Sequence, residues 1–351
     1  MSKYDQTVWK EKNEKNHEKK NIAAFAFIAL IAGIGIIAWH FTSPPQLYSG
    51  PAEPIVLGGL VSDTNIMVFT AEDQQFFAKN GINLTFKTYD TGLATIDELL
   101  SGNVDIAGAS EYPIIAKAFE KDNISIIAGI SKSYIVYFIG LTDRGIRNVA
   151  DLKGKKIGLP RGTIPEFYLG RFLNLNGMSI RDVNLINLPP GQAADAIANE
   201  SVDAVVTWEP YVNRIREQHA NGTVIWSVQS GQAVYGVLVC RNDWIKQHPD
   251  LVRRVLNSLA EAEGYIVQHP AGAKAILQGR YHYDDKYIAR AWPEHQFALS
   301  LDQSLVVAME DEGRWMIANN LTTAKTIPDI RDHIYIKGLE EVKPESVNVI
   351  A

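Results

Sequence analysis

Polar and aromatic residues collect at a few short turns of this 351-residue chain, each between an apolar strand-like run and a helical pattern. The clearest turns are Leu159-Pro-Arg-Gly-Thr163 and Thr207-Trp-Glu-Pro210. A turn that leads into a helix directs free backbone N–H groups at a bound molecule. Ligands of open α/β sheets lie at the carboxyl ends of the strands. The pattern therefore predicts a receptor site for a small solute in a crevice between such turns.

The same rule selects the residues that we expect to contact the solute, because each lies at or next to the carboxyl end of a predicted strand. Tyr235 is added from the strand that follows the second set of turns. The candidates are Asp63, Thr64, Asn65, Ser110, Glu111, Tyr112, Ser131, Arg161, Gly162, Thr163, Trp208, Glu209 and Tyr235.

Two of these residues suit an anionic or carbonyl oxygen. The hydroxyl of Thr163, with the N–H groups of the next turn, would hold such an oxygen, although Thr163 also fits the N-cap of its own helix. Arg161 would neutralise a sulfonate or carboxylate through a two-pronged hydrogen bond. A solvated or interlobe arginine is the alternative.

The remaining strong candidates would contact the apolar or amine-bearing parts of the solute. Trp208 would form an apolar wall or stack on a ring, or else lie in the core. Glu209 would meet a ligand amine or stabilise the start of its helix, and Glu111 and Tyr112 have similar alternatives. If both glutamates face the crevice, nitrate is disfavoured and a zwitterion or neutral amino-heterocycle is favoured.

The elements that position these turns alternate between short strands and helices from residue 53 onward, which is typical of an α/β fold with mostly parallel strands. We predict that residues 53–142 begin a first lobe and that residues 143–232 form a second lobe. Residues 233–351 would then return to the first lobe as a strand and C-terminal helices. Two crossings between lobes favour hinge closure over a solute.

The N-terminal part predicts a membrane anchor. Ile22 to Trp39 is an uncharged run of 18 residues, and six lysines against four acids occupy the first 20 positions. A helix of that length is about 27 Å long and spans a bilayer. The lysines place residues 1–21 in the cytoplasm. Residues 22–41 would be a single-pass anchor, 42–52 a linker and the rest extracytoplasmic. A cleaved signal peptide is the alternative, but no small-x-small cleavage site follows the run.

Several segments together resemble the nitrate/sulfonate/taurine group of ABC-transporter solute-binding proteins, which is related to thiamine-pyrimidine precursor binding proteins. They are Asp151-Leu-Lys-Gly-Lys-Lys-Ile-Gly158, Leu159-Pro-Arg-Gly-Thr163, Val202-Asp-Ala-Val-Val-Thr-Trp-Glu-Pro-Tyr211, Gly81-Ile-Asn-Leu-Thr-Phe86 and Gly102-Asn-Val-Asp-Ile-Ala-Gly-Ala109. The resemblance covers residues 53–310. It implies the type 2 periplasmic-binding-protein fold, with two α/β lobes and a two-strand hinge, and delivery of a small polar solute to an ABC permease and its ATPase. The long N-terminal tail departs from secreted forms and leaves a sensory role open.

Other chemistry has little support in the sequence. The net charge of −6 argues against a nucleic-acid partner. The single Cys240 excludes an internal disulfide and suits a buried strand position. The eight histidines have no metal-ligand spacing, and no phosphate-binding or hydrolase motif is present. We expect no cofactor, no metal and no enzymatic activity. An enzyme of the same fold that acts on a pyrimidine or other biosynthetic precursor is the alternative.

Overall fold

The structure is a computed structural model that describes residues 48–219 and 222–350. The predicted tail (1–21), the predicted anchor (22–41) and the linker up to residue 47 lie outside the described residues. Within the two described ranges, no helix has both the length and the apolar character that a bilayer crossing requires.

The first part of lobe 1 alternates strands and helices as the sequence predicts. A short 3-10 turn, Asp63–Asn65, joins the first strand to the first helix. The elements are β1 (Glu53–Leu60), α1 (Ile66–Asp73), α2 (Phe76–Lys79), β2 (Ile82–Tyr89), α3 (Gly92–Leu100), β3 (Ile106–Ser110), α4 (Glu111–Glu120) and β4 (Ile124–Ser133).

Lobe 2 follows with its own sheet and, in its described residues, three α-helices. For its first strand–helix unit, the sequence pattern predicts a strand over 156–159 and a helix over 164–175, and the structure has these bounds. The elements are β5 (Val136–Leu141), β6 (Lys156–Leu159), α5 (Ile164–Leu175), β7 (Asn184–Asn187), α6 (Ala193–Ala198), β8 (Ala204–Trp208), α7 (Tyr211–Gln218) and β9 (Thr223–Ser227).

The chain then returns to lobe 1 through a buried strand and a mostly helical C-terminal part. Cys240 lies on this strand as a fully buried free thiol. The elements are β10 (Val234–Arg241), α8 (Asn242–Gln247), α9 (Pro249–Gln268), α10 (Pro270–Tyr281), α11 (Asp285–Ala291), β11 (His295–Gln296), α12 (Gln303–Ala318) and α13 (Ile336–Val342).

Each lobe is built on one sheet. The strand orders are β11-β4-β10-β3-β1-β2 in lobe 1 and β7-β6-β8-β5-β9 in lobe 2. β1 runs parallel to β2 and β3, and β6 runs parallel to β7 and β8. The other pairs are antiparallel: β10 with β3 and β4, β11 with β4, and β5 with β8 and β9. The sheets are therefore mixed rather than mostly parallel, because one strand leaves a lobe at the hinge and another enters it there.

The boundary between the lobes differs from the predicted one at residue 142. The strand Val136–Leu141 pairs only within the second sheet among the described strands. The first crossing therefore falls at residues 134–135, between β4 and β5, and the second falls at 228–233, between β9 and β10. The hinge consists of these two short segments.

The lobes also meet along α5 of lobe 2, which packs against α4 and α12 of lobe 1. The ring of Phe167 lies 6.0 Å from that of Tyr112 and 5.6 Å from that of Trp315, between centroids. Arg171 donates to Asp311 at 3.0 Å beside these rings. These contacts hold the two lobes close together in this structure.

Substituting Gly170 tests this seam. A Cβ at Gly170 would lie 2.3 Å from the Trp315 ring, so we expect Gly170→Ala to destabilise the protein by about 1–3 kcal/mol through overpacking. Gly264→Ala is the matched control on α9, because a Cβ there meets no atom within 4 Å. That change should stabilise by about 0.5–1 kcal/mol. Urea unfolding of both variants measures the difference, and equal stabilities would contradict the close packing.

Candidate functional site

A small cavity of about 50 Å³ lies between the lobes, next to the first crossing. A single water needs about 10–15 Å³ of such volume, so the cavity admits a small solute. Both lobes and the hinge contribute to its walls. The lining residues are Leu60, Ser62, Thr64, Gly92, Ala109, Ser110, Pro113, Ile135, Val136, Thr163, Ile164, Trp208, Val234, Tyr235 and Gly236.

Of the three predicted residues in the turn after β1, one faces the cavity and two face the protein interior. Thr64 lines the cavity, and its hydroxyl donates to Ser62 Oγ at 3.1 Å. Asp63 points away from the cavity and accepts a hydrogen bond from the Tyr287 hydroxyl at 2.6 Å. Asn65 also turns inward, where its amide donates to the Leu60 carbonyl at 2.6 Å. Only Thr64 of the three predicted residues reaches the solute space.

At the end of β3, Ser110 lines the cavity, but the two residues after it do not. Glu111 is fully buried; its Oε2 accepts from the Tyr235 N–H at 3.1 Å, and its carboxyl group faces that of Glu312. Burial raises the pKa of Glu111 to about 8 and raises that of Glu312 well above its ordinary value. Tyr112 is fully buried as well, in the seam between the lobes.

Two predicted residues lie on the paired strands β4 and β10. Tyr235 lines the cavity, and the Lys132 ammonium lies 5.4 Å from its ring centroid. Ser131 is 2% exposed, and within residues 48–219 and 222–350 its hydroxyl has no hydrogen-bond partner. It lies behind Gly236, where a Cβ would be 2.4 Å from Ser131 Oγ. Ser131 therefore backs the cavity wall without lining it.

The turn between β6 and α5 places Thr163 at the cavity. The two residues before Thr163 are hydrogen-bonded to Glu166. The Thr163 hydroxyl donates to the Pro160 carbonyl at 2.5 Å and makes no cap hydrogen bond to its own helix. Glu166 accepts from Arg161 Nε and from the Gly162 N–H, both at 2.7 Å. Gly162 has φ +72°, a left-handed conformation that favours glycine. Arg161 is therefore held by a carboxylate, outside the cavity lining.

At the end of β8, Trp208 forms a wall from lobe 2 and is 5% exposed. Its indole Nε1 has no hydrogen-bond partner in the described part of the chain. Glu209 does not line the cavity: it accepts from Arg216 at 3.1 Å and from the Asn213 N–H at 2.9 Å. Burial raises the pKa of Glu209, and the positive charges of Arg216 and Arg290 oppose that rise.

The cavity thus combines hydroxyl groups with apolar surface. Among the described residues, no charged side chain lines it. The nearby Arg161 and Glu209 are paired with other residues, and Glu111 faces Glu312. Hence the condition for a zwitterion or amino-heterocycle, two glutamates facing the crevice, is absent here. The described ranges also hold no group of three metal-ligating side chains.

Sequence reasoning missed most of the apolar wall. These residues flank the predicted turns, but their types are those of ordinary core positions, so nothing in the sequence separates them from the core. Spacing alone could have suggested Ile164, directly after Thr163, and Gly92, at the start of a helix. The missed lining residues are Leu60, Gly92, Ala109, Pro113, Ile135, Val136, Ile164, Val234 and Gly236.

Comparison with known proteins gives the family. The NMT1/THI5-like family model matches residues 64–273. A Brucella abortus protein named only as a binding protein is 27% identical over 213 residues, which are 57% of this chain and 62% of that protein. This chain thus spans less than two thirds of that relative's length.

Two further relatives carry more specific names. A Bacillus subtilis protein that its name assigns to aliphatic sulfonates is 26% identical over 270 residues, covering 76% of this chain and 81% of its own length. The taurine-binding periplasmic protein of Escherichia coli is 25% identical over 207 residues, covering 56% and 62%.

Solved structures agree with the fold. The alkanesulfonate-binding protein SsuA of Xanthomonas axonopodis pv. citri, bound to MOPS, superposes with a TM-score of 0.70 at 18% identity, covering 82% of this chain and 99% of that one. The desulfurization enzyme DszB superposes with a TM-score of 0.63 at 13% identity, covering 84% and 99%. At these identities the likeness shows the two-lobed α/β periplasmic-binding-protein fold. Since the family model matches more than half of the chain, this protein belongs to the NMT1/THI5-like family.

Proposed function

We propose that this protein is an extracytoplasmic receptor that binds a small solute between its lobes and delivers it to an ABC permease and its ATPase. The observation that carries the proposal is the cavity between two hinged lobes, lined from both by Thr64, Ser110, Thr163 and Trp208. A solute held by both lobes stabilises the closed form, which is how binding produces hinge closure. The names of the sulfonate- and taurine-binding relatives support the same role.

The predicted N-terminal anchor completes this proposal. Residues 22–41 would tether the receptor to the cytoplasmic membrane, with residues 1–21 inside and the two lobes outside. A tethered receptor stays close to its permease, which raises the effective concentration of each for the other. Protease accessibility of intact cells or spheroplasts tests the orientation, because the lobes should be cleaved from outside and the tail should be protected.

The chemistry of the cavity favours an oxyanion with a short uncharged chain. The hydroxyl groups of Ser62 and Ser110 and the N–H groups at the starts of α4 and α5 suit sulfonate oxygens, whereas the hydroxyls of Thr64 and Thr163 already donate within the protein. Trp208 and the aliphatic wall residues suit an alkyl chain. A solute ammonium would find no carboxylate in the lining, and burying an unpaired charge is costly. Within the sulfonates, alkanesulfonates therefore fit this cavity better than taurine.

We expect 1-propanesulfonate to bind at least about tenfold more tightly than taurine, since a partner-free ammonium loses more than 1.4 kcal/mol on burial. The two compounds have the same number of heavy atoms and differ by a methyl group in place of an ammonium. Isothermal titration of the full chain with both compounds, and with nitrate, measures the difference. Tighter binding of taurine would refute the solute class, and binding of no sulfonate would refute the sulfonate assignment.

An enzyme remains the second candidate, because DszB shares the fold. One arrangement in this chain has the residue types of a hydrolytic triad: Ser133 Oγ lies 2.8 Å from His295 Nδ1, and His295 Nε2 lies 3.6 Å from Asp63 Oδ2. All three side chains are essentially buried, and none lines the cavity. A structural role fits this burial better than catalysis. Mass spectrometry of a bound sulfonate after long incubation decides, since a receptor returns its solute unchanged.

A further inference from the structure

Arg290, at the end of α11 in lobe 1, reaches across to lobe 2. Its guanidinium donates to the side-chain oxygen of Asn213, and its Nε lies 3.8 Å from Glu209 Oε1. Asn213, the hydrogen-bond acceptor, and Glu209, the ion-pair partner, both belong to the β8–α7 segment, which also carries the cavity wall Trp208. The contact therefore joins the second lobe, next to the solute space, to the C-terminal part of the first.

The two lobe 2 partners of Arg290 also make hydrogen bonds within their own lobe. Glu209 is only 4% exposed, its Oε1 accepts from Arg216 at 3.1 Å, and its Oε2 accepts from the Asn213 N–H at 2.9 Å. Glu209 and Asn213 are thus linked to each other by a hydrogen bond within lobe 2. Because a buried carboxylate needs positive partners, Arg290 adds a second cation beside Glu209, next to Arg216.

In lobe 1, Arg290 is linked through Tyr287 to the loop that lines the cavity. The Arg290 guanidinium lies 5.6 Å from the ring centroid of Tyr287. The Tyr287 hydroxyl donates to Asp63, which lies in the chain between the lining residues Ser62 and Thr64. The chain of contacts from Thr64 to Trp208 therefore passes around the solute space and crosses between lobes at Arg290.

We propose that Arg290 is a positioning residue that holds the lobes closed over the solute, acting through Glu209 and Asn213 and not through contact with the solute itself. The part of this inference that concerns solute retention rests on the proposed function. The part that concerns closure does not, because the contact forms in the protein alone. Opening the cleft breaks the Arg290 contacts and leaves Glu209 with one cation fewer.

The test compares Arg290→Ala with Arg331→Ala, which removes a similarly exposed arginine whose carboxylate partner, Asp329, lies in the same lobe. Lobe separation is followed by spin-label distances between Lys87→Cys in lobe 1 and Lys153→Cys in lobe 2, two exposed positions. The buried Cys240 should not label.

We expect Arg290→Ala to lengthen the mean distance between the spin labels in the solute-free protein. It should also raise the dissociation rate of 1-propanesulfonate about tenfold, because one charge-assisted hydrogen bond is lost. Asn213→Ala should do the same, and the double variant should add little. Unchanged distances for Arg290→Ala relative to Arg331→Ala would overturn the inference. If no sulfonate binds, the distances still test closure, and only the proposed function fails.

Discussion

Replacing Glu312 by glutamine should make the protein more stable at alkaline pH and leave it nearly unchanged at pH 5. Glu312 and Glu111 face each other, and both are fully buried. Apart from Glu111, the described residues give Glu312 no hydrogen-bond donor or acceptor. When either carboxyl group is protonated, it donates a hydrogen bond to the other. When both are ionised, they repel each other. Other titratable groups that interact with the pair are Tyr112, Tyr168, Tyr235 and Asp311, none of them a cation.

The direction of the pH effect follows from the raised pKa values. Both carboxyl groups keep protons in the folded protein that the unfolded chain releases above about pH 4.5. The folded state binds more protons, so stability falls as the pH rises from about 4.5 through about 8, the pKa of Glu111. A glutamine at 312 donates its amide to Glu111 at any pH. The gain should be on the order of 2 kcal/mol at pH 9.

Thermal unfolding between pH 5 and pH 9 measures this gain. Glu310→Gln is the matched control, because it makes the same change on the same helix at a carboxylate that is 44% exposed. It should leave the pH profile unaltered. If Glu312→Gln loses stability at pH 9 as steeply as the wild type, the two carboxyl groups do not share a proton.

The sequence was a good guide to where turns lie, because hydrophobic periodicity and turn residues act locally. Strand β6 and helix α5 have their predicted bounds, and Thr163 and Trp208 line the cavity from the predicted turns. A strand that ends in a polar turn before a helix places that turn at the sheet edge in any α/β fold. The predicted turns therefore meet at one crevice, although no residue of lobe 1 indicates which residue of lobe 2 it will face.

The direction of each side chain at those turns was beyond sequence reasoning. Asp63, Glu111 and Glu209 are polar residues at crevice turns, yet each is held inside by another residue, which is distant in the chain for Asp63 and Glu111 and seven residues away for Glu209. These partners are Tyr287, Glu312 and Arg216. A carboxylate beside a cavity accepts a hydrogen bond from the protein wherever a donor lies within reach. The tertiary packing determines whether such a donor is present.

The C-terminal part was the least predictable. Apolar residues at helical spacing predict one helix through Leu251, Val255 and Leu259 and another from about Asp302 to Asn319, and these are α9 and α12 in the structure. Three shorter helices, α10, α11 and α13, were not predicted. Tyr281, Tyr283 and Tyr287 lie in this part and pack beside Asp63, next to the cavity loop. The run Tyr281-His-Tyr-Asp-Asp285 is typical of a surface turn, and His282 does turn there, with φ +58°, but Tyr281 and Tyr283 on either side of it are half-buried.

Trp208 should have the largest effect on binding of any single side chain at the cavity. It forms the lobe 2 wall, and its buried indole N–H has no partner in the described residues. A donor buried beside a cavity without a partner is costly unless a ligand accepts from it. A sulfonate oxygen is such an acceptor, and a hydrogen bond to a charged group contributes about 1.5–3 kcal/mol. Trp208→Phe keeps an aromatic wall and removes the donor, so affinity for 1-propanesulfonate should fall about 10- to 100-fold.

Trp208→Ala also removes the wall and should abolish measurable binding, since truncating a buried tryptophan costs more than losing its N–H alone. Trp244→Phe is the matched control: Trp244 is 8% exposed, lies in lobe 1 and does not line the cavity. Titration calorimetry of the three variants separates the two contributions. Wild-type affinity in Trp208→Phe would mean that the indole N–H does not meet the solute. Wild-type affinity in Trp208→Ala would place the solute outside this cavity, because no bound molecule there could be indifferent to the loss of one wall.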